Sequence, residues 1–177
     1  GAPHATFSKF TPKVGLDWRP TSDLMLYSSY SVGYRSGGYS NRAATVDSTN
    51  RAFEPETVDS IEVGVKSEWL DRRLSANLAW FHAKYKNMQQ NTTIPGGATG
   101  NQTIVSNVGS ALIRGIELEM SYRPVDPLTL STTLGTISSH FNGFITQAPL
   151  PAGVTPGANN PAGLAEYDYS NNDLIYN

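Results

Sequence analysis

An all-β fold, an antiparallel up-and-down meander of about six strands, is predicted by three features of the sequence. Apolar and polar residues alternate with a period of two, the composition favours strands over helices, and short connections alternate with long ones. The 177 residues include 18 Ser, 16 Thr and 13 Asn, with 10% aromatic and 16% charged residues. An average soluble domain carries about 25% charge, and a surplus of small neutral polar residues and aromatics suits a pleated sheet better than a helix. The 13 basic residues do not outnumber the 15 acidic ones, so no nucleic-acid partner is expected. The chain has no cysteine, which removes disulfides, thiol catalysis and cysteine zinc sites together. No apolar run approaches the ~20 residues of a membrane-spanning helix.

The first strand lies near Phe10 to Trp18, with Val14, Leu16 and Trp18 on one face and Lys13, Gly15 and Asp17 on the other. The second, Leu24 to Arg35, sets Leu24, Leu26, Tyr30, Val32 and Tyr34 against Tyr27, Ser29, Ser31 and Arg35. In the third, Ile61, Val63, Val65 and Trp69 oppose Glu62, Gly64, Lys66 and Glu68. The fourth is ambiguous in facing, because Leu74, Ala76, Leu78 and Trp80 form one register while Phe81 and Tyr85 belong to the other. The fifth sets Ile116, Leu118, Met120 and Tyr122 against Gly115, Glu117, Glu119 and Arg123, and the sixth turns Leu128, Leu130, Thr132 and Leu134 away from Thr129, Ser131, Thr133 and Gly135.

Tight turns are expected at 19–23, 70–73 and 123–127, all built from turn-forming residues. Long polar loops are expected at 36–55, at 89–106 and after His140. An aromatic on the apolar register, Trp18, Trp69 or Tyr122, precedes each tight turn, which gives a strand-pair spacing of about fifty residues. All short turns then fall at one end of the sheet and all long loops at the other. A soluble sandwich buries the apolar face against a second sheet, whereas an outer-membrane barrel turns it to lipid. The end-to-end asymmetry, the aromatics beside the turns and the lack of charge among those apolar residues favour the barrel.

Four blocks carry a more specific signal: FSKFTPKVGLDWRP at 7–20, LYSSYSVGYRSGG at 26–38, FEPETVDSIEVGVK at 53–66 and NVGSALIRGIELE at 107–119. In order and spacing they resemble the barrel region of TonB-dependent outer-membrane receptors. The closing segment, Tyr167 to Asn177, resembles the lead into a further strand of that family. The resemblance implies a large plugged barrel of the 22-stranded type in the bacterial outer membrane. Such a receptor takes up a scarce solute, such as a ferric siderophore, with energy relayed through TonB. Residues 1–177 are then expected to be part of that barrel domain, from its carboxyl half, with the plug domain, the TonB-contacting box and the final strands absent from the sequence. The implied partners are outer-membrane lipid, the rest of the barrel and the plug, TonB through the missing amino-terminal region, and a small-molecule solute. The rival reading is a soluble β-sandwich or adhesin-like binding module.

Chemistry-bearing residues are sparse. His4, His82 and His140 lie far apart with no second ligand at metal spacing, so no metal site is expected. Glu117 and Glu119 share a face about 7 Å apart, from two rises of ~3.4 Å. A hydrated lumen wall explains that pair better than a glycosidase acid and nucleophile. Ser36-Gly37-Gly38 and Pro95-Gly96-Gly97 lack the Lys-Ser or Lys-Thr pair of a phosphate loop, and two Asn-x-Thr sequons, at Asn91 and Asn101, are read as accidental in the bacterial context the resemblance implies. No catalytic residue and no cofactor are therefore expected. The candidate ligand contacts are Arg35, Tyr39 and Arg42 at the mouth of the first long loop, where cations and an aromatic could meet an anionic chelate. Arg51, Asn91 and Asn101 have weaker claims.

Overall fold

The computed structural model describes residues 4–40, 52–95, 101–143, 145–149 and 164–168. Six long strands form one antiparallel sheet: β1 (Lys13–Thr21), β2 (Leu24–Arg35), β5 (Glu56–Trp69), β6 (Leu74–Lys86), β9 (Ser110–Val125) and β10 (Leu128–Asn142). Their spatial order, β1-β2-β5-β6-β9-β10, is their order in the chain, so the meander predicted by the alternation is present. Between and after them lie three short ribbons: β3 (Gly38–Tyr39) with β4 (Ala52–Phe53), β7 (Gln89–Pro95) with β8 (Asn101–Asn107), and β11 (Ile145–Pro149) with β12 (Leu164–Asp168).

Register fixes the facing of every main strand. Trp18 lies opposite Leu26, Leu26 opposite Val65, Val65 opposite Leu78, Leu78 opposite Leu118 and Leu118 opposite Leu134. One apolar row therefore crosses the whole sheet, and the row above it joins Leu16, Val63, Trp80 and Ile116. This settles the ambiguous fourth strand, which turns Leu74, Leu78 and Trp80 to the apolar face. Its remaining aromatics serve the polar face, where the Phe81 ring covers Gly115 as the Tyr27 ring covers Gly64. Cross-strand aromatics over glycine fill the gap a missing side chain leaves and pin the register.

No second layer covers the apolar face among the described residues. Leu16 is 69% exposed, Leu134 61% and Val63 41%, while of the described residues only Ile104, Val108 and Ala111 are apolar and buried. A soluble sandwich would bury that first group.

Two of the three tight turns share one device. Between Trp18 and Thr21 the register slips, leaving Arg19 and Pro20 opposite the single residue Met25. Arg123 and Pro124 likewise oppose Thr129. Proline lacks the N–H that a regular ladder requires, so a bulge beside the turn is where a strand tolerates it. The β5–β6 turn contains no proline and instead holds Leu70, Asp71 and Arg72 at φ of 56°, 54° and 65°. Neighbouring turns are tied together by the Arg73 carbonyl, which accepts from the Arg123 amide at 2.7 Å, and by the Arg73 guanidinium, which donates to the Pro124 carbonyl at 3.1 Å.

At the opposite end the hairpins do not stop where the apolar face stops. Arg35 opposes Glu56, and the same register resumes with Gly38 opposite Phe53. Tyr85 opposes Ala111, and Gln89 then opposes Asn107 with no residue gained or lost on either side. Two of the segments expected to be long polar loops are thus partly continuations of their hairpins. Their polarity on both faces hid them, since a ribbon with water on both sides has no reason to alternate.

Candidate ligand-facing end of the sheet

Arg35 ends β2 on the polar face, in register with Tyr27, Ser29 and Ser31, and is exposed opposite Glu56. Tyr39, in β3, is half-buried opposite Ala52. Arg42 and Arg51 lie outside the described residues. Of the weaker candidates, Asn91 is exposed on β7 and Asn101 begins β8. The backbone leading from Arg35 to Tyr39 is tightly held. A side chain on Gly37 would meet the Phe53 carbonyl at 2.5 Å and the Phe7 ring at 2.8 Å, and one on Gly38 would meet the Phe53 ring at 3.1 Å. Glycine is used here for close approach, not for phosphate.

A polar knot that the sequence did not reveal ties these segments together. Gln89 is buried, and its side-chain amide donates to the Ser36 carbonyl at 2.9 Å and to the Glu54 carbonyl at 3.1 Å. The Gln89 backbone amide donates to the Glu56 carboxylate at 2.8 Å. Asn107 accepts from the Glu54 amide at 2.7 Å and donates to the carbonyls of Glu54 and Asn87 at 2.9 and 2.8 Å. Three strand ends, from β2, β5 and the β7–β8 ribbon, are therefore held at one place. Asn107→Ala should raise the exchange rate of the Glu54 amide about tenfold or more, as the loss of about 1–2 kcal/mol of hydrogen bonding implies, with no change in the strands below. Hydrogen exchange of the complete protein measures this, and an unchanged Glu54 rate would show the knot to be dispensable.

Further down the polar face, the Tyr27 hydroxyl donates to Glu62 at 2.7 Å, and the Lys66 ammonium lies 5.6 Å from the centre of the Tyr27 ring. Glu117 and Glu119 are exposed on this face, with Ala79, Gly135, Asn77 and Thr133 as cross-strand neighbours. Small and neutral flanking residues leave both carboxylates open to water. No group of three or more His, Cys, Asp or Glu side chains suited to a metal occurs among the described residues. His82 stacks on Trp80 at 6.0 Å on the apolar face.

Comparison with known proteins matches residues 1–174 to the family model described as TonB dependent receptor-like, beta-barrel. The chain is 32% identical over 120 residues to the Metal-pseudopaline receptor CntO of Pseudomonas aeruginosa, covering 68% of this chain and 15% of that protein. It is 26% identical over 125 residues to the Probable TonB-dependent siderophore receptor PiuA of Acinetobacter baumannii, covering 68% of this chain and 16% of that one. The chain thus spans less than a fifth of the length of these curated relatives. Among solved structures, the ferric yersiniabactin uptake receptor FyuA from Yersinia pestis superposes with a TM-score of 0.60 at 23% identity, over 75% of this chain and 18% of that one. The siderophore receptor PiuA from Acinetobacter baumannii gives 0.58 at 22% identity, over 81% of this chain and 20% of that one.

Proposed function

The chain belongs to the TonB-dependent receptor β-barrel family, and we propose that it is a wall section of an outer-membrane receptor that imports a scarce solute, such as a ferric siderophore, with energy supplied through TonB. In this reading the apolar face meets lipid, the polar face lines the lumen around a plug, and the ribbons reach outward to the solute. The observation that carries it is the uncovered apolar face on a sheet whose short turns and long ribbons lie at opposite ends. The named relatives include receptors for metal-pseudopaline and siderophores, which supports a metal chelate as the solute class. No covalent step is assigned to this wall, and Glu117 and Glu119 contribute charge and hydration to the lumen.

Replacing Arg35, Tyr39 and Arg42 together with alanine should weaken solute binding by about tenfold or more while the barrel still assembles. Binding to the purified complete receptor, with folding checked by its resistance to detergent at room temperature, measures this. Unchanged affinity in a correctly assembled triple variant would remove this loop from the site. Solute uptake that persists after the proton-motive force is collapsed would overturn the transport reading itself.

A further inference from the structure

The apolar face ends abruptly toward the ribbons, and it ends in positive charge. From Trp69 up to Ile61, whose row holds the first charged residue, Arg114, is eight residues of β5, or about 27 Å along the strand. Strands tilted at about 40° convert this to about 21 Å of height, so the charges begin at the upper margin of the ≈25 Å apolar band of outer-membrane barrels. Within that height the apolar face carries no formal charge between the turn-side bulges and the Trp80 row. The next rows hold His82 and Arg114 directly opposite each other, Asp59 opposite Lys84, and then Lys86. Alternation in the sequence marks the third strand from Ile61 and the fifth from Gly115, whereas β5 starts at Glu56 and β9 at Ser110, so Asp59 and Arg114 fall outside the periodic signal.

Not every charge here is satisfied within the sheet. Lys86 donates to Asp59 at 2.7 Å, and the Tyr30 hydroxyl donates to the same carboxylate at 3.1 Å. Lys84 and Arg114 are exposed and have no ion-pair partner among the described residues. They are diagonal neighbours on adjacent strands, about 7–8 Å apart along the backbone and less at their β-carbons. Beside them a cleft of about 640 Å³ is lined by Lys9, Tyr34, Thr57, Lys86, Asn87 and Ser110, and the buried Tyr34 hydroxyl has no hydrogen-bond partner among the described residues.

We infer that Lys84 and Arg114, flanked by Lys9 and Lys86, form a binding site on the lipid side of the wall for the phosphate groups of the outer-leaflet glycolipid. The inference rests on the membrane reading above. Three cationic chains and the Lys86–Asp59 pair leave a net positive patch at the height where acyl chains give way to headgroups. A phosphate offers that patch several charge-assisted acceptors, Arg114 supplies a planar fork for two of them, and Lys84 supplies a point charge. The solute cannot be the occupant, because the patch faces away from the lumen.

The test uses the complete receptor in detergent, with diphosphorylated lipid A and its enzymatically dephosphorylated form as probes, and bound lipid counted by native mass spectrometry. The Lys84→Gln, Arg114→Gln double variant should bind the diphosphorylated probe at least tenfold more weakly than wild type, since each basic side chain near a lipid surface contributes measurably to attraction. Lys66→Gln, on the lumen side, should bind as wild type does. Dephosphorylated lipid should bind wild type and the double variant alike. Equal binding of the phosphorylated probe by wild type and double variant, or equal binding of both probes by wild type, would overturn the inference. A wild-type protein that stays monodisperse without detergent would instead overturn the membrane reading on which it rests.

Discussion

Val63→Arg in the complete receptor is expected to cost about 2–4 kcal/mol of stability, the price of an arginine facing lipid near the bilayer midplane. Val63 lies in the row of Leu16, Trp80 and Ile116, all exposed on the apolar face. Its chain neighbour Glu62 points the other way and accepts the Tyr27 hydroxyl at 2.7 Å. Glu62→Gln keeps a carbonyl oxygen as acceptor and exchanges a charge-assisted bond for a neutral one, so it should cost about 1 kcal/mol or less. Urea unfolding in lipid vesicles, followed by tryptophan fluorescence, separates the two. Equal losses would mean that the facing is wrong.

Gly115→Ala is expected to cost about 3 kcal/mol or to block assembly, because its β-carbon would press on the Thr136 carbonyl of β10 and lie within 2.5 Å of the Phe81 ring. The ring could rotate away, but the carbonyl belongs to the ladder and cannot. Gly135, on the same face of the neighbouring strand, provides the control. Its nearest atoms to a new β-carbon are 3.7 and 3.8 Å away, so Gly135→Ala should be neutral or stabilise by about 0.5 kcal/mol through the unfolded chain. Thermal unfolding of both variants of the complete receptor measures the contrast. A Gly115→Ala protein as stable as Gly135→Ala would show that the sheet relaxes around the contact.

The six long strands were legible because each separates two environments, and separation writes alternation into sequence. Legibility ended where the environments stopped differing. Thr57, Val58, Asp59 and Ser60 continue β5 without a periodic signal, and Gln89, Gln90, Asn91, Thr92 and Thr93 form a strand that reads as a loop. Arg35 was recognisable as a strand end beside a glycine pair. The knot of Gln89, Glu54 and Asn107 was not, since it joins residues 35 and 53 positions apart, and register alone decides that they meet. The basic patch was hidden for the same reason: Arg114 and Lys84 become neighbours only once β6 and β9 are paired.

The join between β6–β9 and β7–β8 has a mechanical consequence. Regular pairing lapses across Asn87 and Gly109, both at positive φ, 53° and 118°, while bonds from the Met88 amide to Gly109 and from the Val108 amide to Met88 keep the two arms attached. What holds the ribbon's angle there is the knot just beyond, where the Gln89 and Asn107 amides donate to the carbonyls of Ser36 and Glu54. The seven residues of β7 beyond it make a lever of about 23 Å. A rotation of about 10° at the join carries the far end, Pro95, through about 4 Å, by the same strand rise. Loosening the knot by a small angle at that residue pair would thus displace the ribbon's tip without any strand of the main sheet having to slide.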